Sequence, residues 1–506
     1  MRILLSTTIL LLLVQSVHAQ SADSLIASDL IVPAKYKTLF DSAHTVLLPK
    51  GFVCRVFYAR VGSSPRTLAI RPDGVVCMAD NVNSVIYALP DMNHVGVADT
   101  AITLAYNDSN SHGFAFYNGA LYTAAVDVVM KYEHPNKDGL YVDSSIFISG
   151  IPDTAEGSPN HTTRTILFDT VGKSIFLSVG APCNACREKA TERAAILRFD
   201  LDGTGRRIYA SGLRNAVGLS MDNATHTLWA SVSERNSQGA DVPPDFATRI
   251  VDQGYYGWPF AYGDHQWEDF SATPEYHKLL PITHADSTLV ASMQPWDMVF
   301  PAHTTPLGIA IYHSNTFPGY EGNFFITLHG SYPAAEGRII ANGSKIERAQ
   351  FINGKWMVTD FASGFLTDSI GYKRWARPCG IVIDTAGDLY FTSDYTDPHT
   401  PPAVYRISYV GAKTVPQQAP VNARLISIYP DPVTGYCSVI ANGVGSNPWL
   451  NITDILGRVV REESRVSSNV REAQFTLNLR DLPNGMYVVR LSGGAGVVER
   501  KFVIQH

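Results

Sequence analysis

The chain has 506 residues, 45% of them hydrophobic, with 40 Lys and Arg against 46 Asp and Glu and a net charge of -6. That balance offers no basic face for nucleic acid or an anionic membrane surface, and the length exceeds one ordinary core, which implies a large domain with a smaller one. Six cysteines are too few for disulfides to be the main scaffold.

Arg2, the apolar run Ile3 to Val14 and the small residues up to Ala19 describe a cleaved secretory signal over residues 1–19, too short for the ~20 residues of a membrane span. The expected location is therefore secreted or at the cell surface, reached through the periplasm, with no membrane span. An N-terminal segment covers residues 20–44. From 45 to 410 one grammar recurs: a β-rich run, a turn with Asp or Asn and Gly, and another β-rich run. Examples are "TLAIRPDGVVCMAD" (67–80), "GFAFYNGALYTAA" (113–125), "TILFDTVGKSIFLSVG" (165–180), "VGLSMDNATHTLWASV" (217–232) and "CGIVIDTAGDLYFTSD" (379–394). No helix-period segment separates these hairpins, so the fold class is all-β, and repeated hairpins read as blades of a β-propeller, with a large sandwich as the alternative. Residues 411–424 lose the pattern and read as a linker; 425–506 return to short alternating strands and predict a small C-terminal β-sandwich.

Cys183 and Cys186 form a C-x-x-C in which Arg187 stands where haem attachment needs histidine, and no second ligand pair for zinc is evident. The pair reads as a loop disulfide, with a free or redox pair as the alternative. Cys54, Cys77, Cys379 and Cys437 read as small buried hydrophobes.

Polar residues interrupt the hairpins at a shared position, the loop leading into a blade's inner strand. His161 and Arg164 stand in "GSPNHTTRTILFD", Arg214 and Asn215 in "GLRN", and His303 in "PAHTTPLGIAIY". In a propeller such loops converge at the central channel. A lone histidine or a paired arginine is ordinarily structural; three such loops at one place suggest a site.

Residues 45–410 resemble the soluble glucose/sorbosone dehydrogenase family, whose active members oxidise sugars with pyrroloquinoline quinone (PQQ). The resemblance rests on "LPKGF", "SPRTLAIRPDG", "HTTRTILFD", "AAILRFDLDGTGRRIYASGLRNAVGL", "GYYGWPF", "AHTTPLGIAIY", "NFFITLHGS", "DFASGFL" and "RWARPCGIVIDTAGDLYFTSD". It implies a six-bladed propeller with the quinone across the channel mouth, His161 as general base, and Arg214 with Asn215 beside the quinone. It further implies His303, His329 and Arg377 as cofactor-binding residues, and calcium held by carbonyls at Asn236 and Ser237 in "SERNSQGADVPPD". The family's lysine and arginine pair is replaced here by His329 and by Arg377, with Arg374 out of register. The implied partners are a sugar or small alcohol or aldehyde and an electron acceptor. Residues 425–506, with "YPDP", "LGRVV", "LPNGMYVVRL" and "KFVI", resemble the sorting domain that directs proteins to the type IX secretion machinery, with Asp431 where that family usually has Asn. Competing readings are a non-catalytic propeller that binds glycan or protein, and a hydrolytic propeller of the lactonase kind. The latter needs converging acidic ligands, which these loops do not supply.

Overall fold

A short hairpin buries one face at most and is stable only when stacked on a neighbour, and the chain solves this by stacking hairpins in a ring. The computed structural model describes residues 24–411, apart from 41, 107–110, 154–160, 189, 332–340 and 396–398. It also describes residues 426–506, apart from 430–432, 443–448, 455–457, 465–471 and 494–495. The expected signal sequence and nearly all of the expected linker lie outside the described residues. Two compact units result, one ending at Val415 and one spanning Pro416–His506.

In the first unit six sheets, antiparallel except for the short strand Gly254–Tyr255 added in parallel to the third, each start from an inner strand: Pro65–Ile70, Gly113–Tyr117, Ile166–Asp169, Ala216–Asp222, Pro306–Ile311 and Pro378–Ile383. Residues at or just before these strands, among them Arg66, His112, Thr165, Gly218, Gly308 and Cys379, surround a central cavity of about 120 Å³. The arrangement is a six-bladed β-propeller. Its ring is closed by Phe52–Ala59, which pairs antiparallel with Ala403–Tyr409 as the outer strand of the last blade, Val53 opposite Ser408.

A repeated device locks blade to blade. The inner strands of blades one, four, five and six each begin with a bulge, which takes one N–H out of the ladder. In blades four, five and six a hydroxyl from the second strand accepts from that N–H and donates its own hydrogen to a carbonyl of the next blade. Gly218 N donates to Ser231 Oγ at 3.2 Å and Ser231 Oγ to the Leu307 carbonyl at 3.2 Å. Gly308 N donates to Thr327 Oγ1 at 2.7 Å, and that hydroxyl to Cys379. Gly380 N donates to Thr392 Oγ1 at 2.8 Å, and that hydroxyl to the Arg66 carbonyl at 2.7 Å, from the last blade to the first. Glycine is required because a Cβ at 380 would lie 2.4 Å from the Arg66 carbonyl oxygen and one at 308 2.6 Å from that of Cys379.

The N-terminal segment is part of this unit: Leu25–Asp29 pairs with Thr45–Pro49, and Leu30, Tyr36 and Phe40 are buried with Phe52, Phe317 and Phe361. The fourth blade departs from the sequence pattern. Between its strands Asp245–Ile250 and Met298–Phe300 the chain makes an excursion with two helices, Pro274–His277 and His284–Ala291. The second opens with a capping box in which Asp286 N donates to Thr283 Oγ1 at 3.1 Å and Thr283 N to Asp286 Oδ2 at 2.8 Å.

In the second unit, Ile426–Tyr429, Tyr436–Asn442 and Glu472–Asn478 form one sheet, and Val459–Ser464, Trp449–Asp454, Gly485–Gly493 and Gly496–Ile504 another. Ile428, Val439 and Phe475 from the first meet Leu450, Val489 and Phe502 from the second in one core. The unit is a small β-sandwich. Among the described residues, no helix is long and apolar enough to cross a membrane.

Candidate active site

The contacts that close the ring join the start of each inner strand to the start of the next, as when Thr165 Oγ1 donates to the Val217 carbonyl at 2.5 Å. The six N-terminal ends therefore gather at one end of the channel, and the loops leading into them form its mouth.

On one side stands His161, with φ at 58°, a left-handed conformation that costs a non-glycine residue about 1–2 kcal/mol and is held by neighbours. Arg164 Nη1 donates to the His161 carbonyl at 2.8 Å while Nε and Nη2 donate to the Val126 and Pro152 carbonyls at 3.0 Å each. Arg164 is thus a structural clamp. His161 Nδ1 lies 2.7 Å from the Ala181 carbonyl; a carbonyl only accepts, so Nδ1 carries the hydrogen and Nε2 keeps a lone pair. Nε2 has no partner among the described residues. Burial lowers the imidazole to about 3, and the Arg214 charge adds to this. Ala181 N donates to the Arg214 carbonyl at 2.7 Å, and a Cβ on Gly180 would lie 2.5 Å from His161 Cβ and 2.8 Å from Asn215 Oδ1. His161, Arg214 and Asn215 are therefore brought together, as their positions in the sequence suggest.

The Arg214 guanidinium is buried and bonded to neutral oxygens. Nε donates to the Asn184 carbonyl at 3.3 Å, Nη2 to Asn184 Oδ1 at 3.2 Å, and Nη1 to the Glu234 carbonyl at 2.7 Å and toward that of Ser233 at 3.5 Å. Burial lowers its pKa, with Glu234 opposing. One Nη2 hydrogen has no partner among the described residues. Glu234 N donates to Asp245 Oδ1 at 2.7 Å and Thr305 N to Asp245 Oδ2 at 2.8 Å, so Asp245, pushed up to about 6 by burial, ties the Arg214 side of the mouth to the fifth blade. Beneath it Arg235 forms ion pairs with Glu234, at 3.1 Å, and with Glu268, all three side chains fully buried.

The loop after Glu234 engages two of the expected site residues. His303 has both ring nitrogens occupied, Nδ1 at 3.1 Å from Asn236 Oδ1 and Nε2 at 2.9 Å from the Gly239 carbonyl; it fastens this loop and leaves no ring nitrogen for a cofactor. The Asn236 carbonyl, expected to hold calcium, already accepts from Asn184 Nδ2 at 2.9 Å and from the Tyr276 hydroxyl at 2.5 Å. With both lone pairs taken, it does not fit a calcium ligand; the neighbouring Ser237 is held at φ 76° and also makes its own polar contacts.

Across the mouth His329 Nε2 lies 2.8 Å from Asp394 Oδ1, and Arg66 Nη1 2.5 Å from Asp394 Oδ2. Arg377 Nε donates to the His329 carbonyl at 3.0 Å and Nη2 to that of Gly330 at 2.5 Å. Burial lowers His329 to about 4. Among the described residues, His329, Cys379 and Asp394 are the one set whose ligand atoms come within 4.8 Å of one another. With both Asp394 oxygens paired and a guanidinium at hand, it is a poor cation site, and burial also raises the Cys379 thiol.

His112 lines the channel below, buried, with Thr67 Oγ1 3.4 Å away. Burial lowers it to about 3, and the Arg66 charge acts the same way. The unfolded chain binds a proton near pH 6.5 and the folded one near 3, so this stability is full above pH 6.5 and is lost as pH falls from there toward 3. Between pH 7.5 and 5 urea unfolding is expected to show the wild type losing about 2 kcal/mol more than His112→Asn. Equal losses would place His112 in contact with solvent.

Sequence reasoning missed Asn184, Asp245, Glu268 and Asp394, and passed over Arg66, which stands in blade one at the position that Cys379 holds in blade six. Fold and mouth together define a six-bladed propeller whose channel opens between a neutral histidine with a free nitrogen and several buried arginines.

Comparisons with known proteins agree with the fold. Residues 47–243 match the TrAA12-like family model, and residues 427–505 that of the secretion system C-terminal sorting domain. The chain is 23% identical over 375 residues to a pyrroloquinoline quinone-dependent sugar dehydrogenase of Hypocrea jecorina, covering 66% of this chain and 79% of that protein. A family AA12 carbohydrate-active enzyme of Trichoderma reesei superposes with a TM-score of 0.58 at 19% identity, covering 77% of this chain and 98% of its own. The PQQ domain of Coprinopsis cinerea pyranose dehydrogenase in its holo form gives 0.57 at 18% identity, covering 75% and 98%. These likenesses bear out the propeller fold.

Proposed function

We propose that the propeller is a PQQ-dependent dehydrogenase that oxidises a sugar or a related alcohol or aldehyde. The observation that carries this is the free Nε2 of His161 beside Arg214. The arginines at the mouth, Arg214 and Arg377 bonded to carbonyls and Arg66 paired with Asp394, suit a ligand bearing several carboxylates, and Gly180 lets His161 and Asn215 approach each other. Support also comes from the sugar dehydrogenase of Hypocrea jecorina named above.

PQQ, when bound, supplies an electrophilic carbon that accepts hydride. The rest is the work of this chain. His161 Nε2 takes the proton of the substrate hydroxyl, its Nδ1–H held on the Ala181 carbonyl so that the lone pair faces outward. The imidazole is neutral at any pH well above 3, so the base is always ready. Arg214, with one N–H to spare, stabilises negative charge developing beside it in a site shielded from water, and Asn215 donates or accepts without adding charge. Arg377 would hold a carboxylate on the far side, whereas His329, neutral and with its Nε2–H on Asp394, has no further donor for one. The Asn236 carbonyl, as arranged, does not fit calcium, and no step is assigned to the ion. The sorting-domain match supports export by the type IX route to the surface or medium.

The test is to titrate the purified protein with PQQ, with and without calcium, and to follow dye reduction with a panel of aldoses. Saturable uptake with sugar-dependent reduction is expected. Uptake without turnover would place the chain among binding propellers, and no uptake would remove the quinone.

A further inference from the structure

Asn184 and Ala185 are the two residues enclosed by the Cys183–Cys186 disulfide. In that ring, Asn184 uses every polar group of its side chain. Its Oδ1 accepts from Arg214 Nη2 at 3.2 Å and from Asn236 N at 2.7 Å, and its Nδ2 donates to the Asn236 carbonyl at 2.9 Å. Its main-chain carbonyl accepts from Arg214 Nε at 3.3 Å and from Trp258 Nε1 at 2.9 Å. One residue thus grips two nitrogens of the guanidinium and pairs with both backbone groups of Asn236. Only an amide can accept and donate at once in this way.

The ring is anchored from outside the channel. Ala185 N donates to Glu275 Oε1 at 3.0 Å, and Arg187 to Asp286 Oδ1 at 3.1 Å and Oδ2 at 2.9 Å. Glu275 and Asp286 belong to the helical excursion of blade four, which also brings Tyr276 to the Asn236 carbonyl and Glu268 to Arg235.

We propose that Asn184 is a positioning residue for Arg214, and that the disulfide and the excursion serve to hold Asn184 in place. An arginine side chain has several rotatable bonds and keeps one orientation only where its donors are fixed. Without the Asn184 amide, Nη2 would lose its partner and the disulfide ring its two bonds to Asn236, and Arg214 would be left with main-chain carbonyls alone, on Nε and Nη1. The functional sense of this rests on the quinone reading above; the geometry does not.

The test therefore has one arm without quinone. Apoprotein is treated with phenylglyoxal and arginine modification is mapped by mass spectrometry. In Asn184→Ala and in the Cys183→Ser/Cys186→Ser double variant, Arg214 is expected to react roughly tenfold faster than in wild type, while Arg164 and Arg377 keep their rates. Unchanged protection of Arg214 in both variants would overturn the proposal, and so would a parallel rise at all three arginines, which reports general loosening. The second arm measures PQQ affinity. Asn184→Ala should weaken it about tenfold in the wild-type background but less than about twofold with Arg214→Lys, because the effect passes through Arg214. Equal effects in both backgrounds would overturn the proposal. If wild type takes up no PQQ, the quinone reading fails, and the arginine map alone decides the positioning role.

Discussion

Replacing His161 with alanine is expected to lower sugar-dependent dye reduction by about 10²–10⁴, the usual size of general-base catalysis, while PQQ uptake stays near that of wild type. The expectation follows from how little else His161 does. Its ring makes one hydrogen bond, to the Ala181 carbonyl, and its backbone is held separately by Arg164, so truncation removes the base and leaves the loop. His161→Gln sharpens the point: the amide can keep a hydrogen bond to Ala181 but offers no basic nitrogen, and it should be as inactive as the alanine variant. The pH profile gives a further check. With the imidazole held near 3 by burial and by Arg214, the acid limb of kcat/KM in the quinone-loaded protein should not carry an inflection near the ordinary histidine value of ~6.5. Turnover close to wild type in either variant would remove His161 from the mechanism.

Replacing Arg235 with methionine is expected to cost about 3–5 kcal/mol of stability in urea unfolding, the usual result of removing one partner from a buried ion pair. Glu234 and Glu268 would be left without a cation in a place from which water is excluded; burial already raises both, Glu268 to about 7. The triple variant Glu234→Gln, Arg235→Met, Glu268→Gln should recover most of the loss, because it removes the buried charges altogether. A single variant as stable as wild type would mean that the three groups are solvated. The comparison also tells what the charges are for. Glu234 presents its carbonyl to Arg214 and its N–H to Asp245, so a stable triple variant with weakened PQQ binding would locate the value of the triad in the shape of the mouth.

The sequence made some of this visible and hid the rest for definable reasons. His161, Arg214 and Asn215 could be read because each stands just ahead of an inner strand, where apolar residues are otherwise expected. Asp394 and Asn184 stand at the far ends of second strands, where a polar residue looks like any turn. The hairpins of blades one, two, three, four and six are compact, whereas that of blade five is stretched by residues 312–323, with Phe317 and Tyr320 buried in the core, and does not look like its siblings. The helices at 274–291 are short, and the Thr283–Asp286 capping box was their one clear mark. His303 and Asn236 matched expected positions, but position in a motif does not reveal that two side chains have satisfied each other.

The strand that completes the last blade is nearly the first to be made. Val53 finds Ser408 only after the intervening chain exists, and bringing such distant ends together costs on the order of 5 kcal/mol in chain entropy. Arg66 of the first blade meets Asp394 of the last through that same closure, so the two sides of the mouth come into being together and late. Until that closure the chain carries the side chains of the site but not the site, and any ligand that needs both sides can be bound only once the ring is complete.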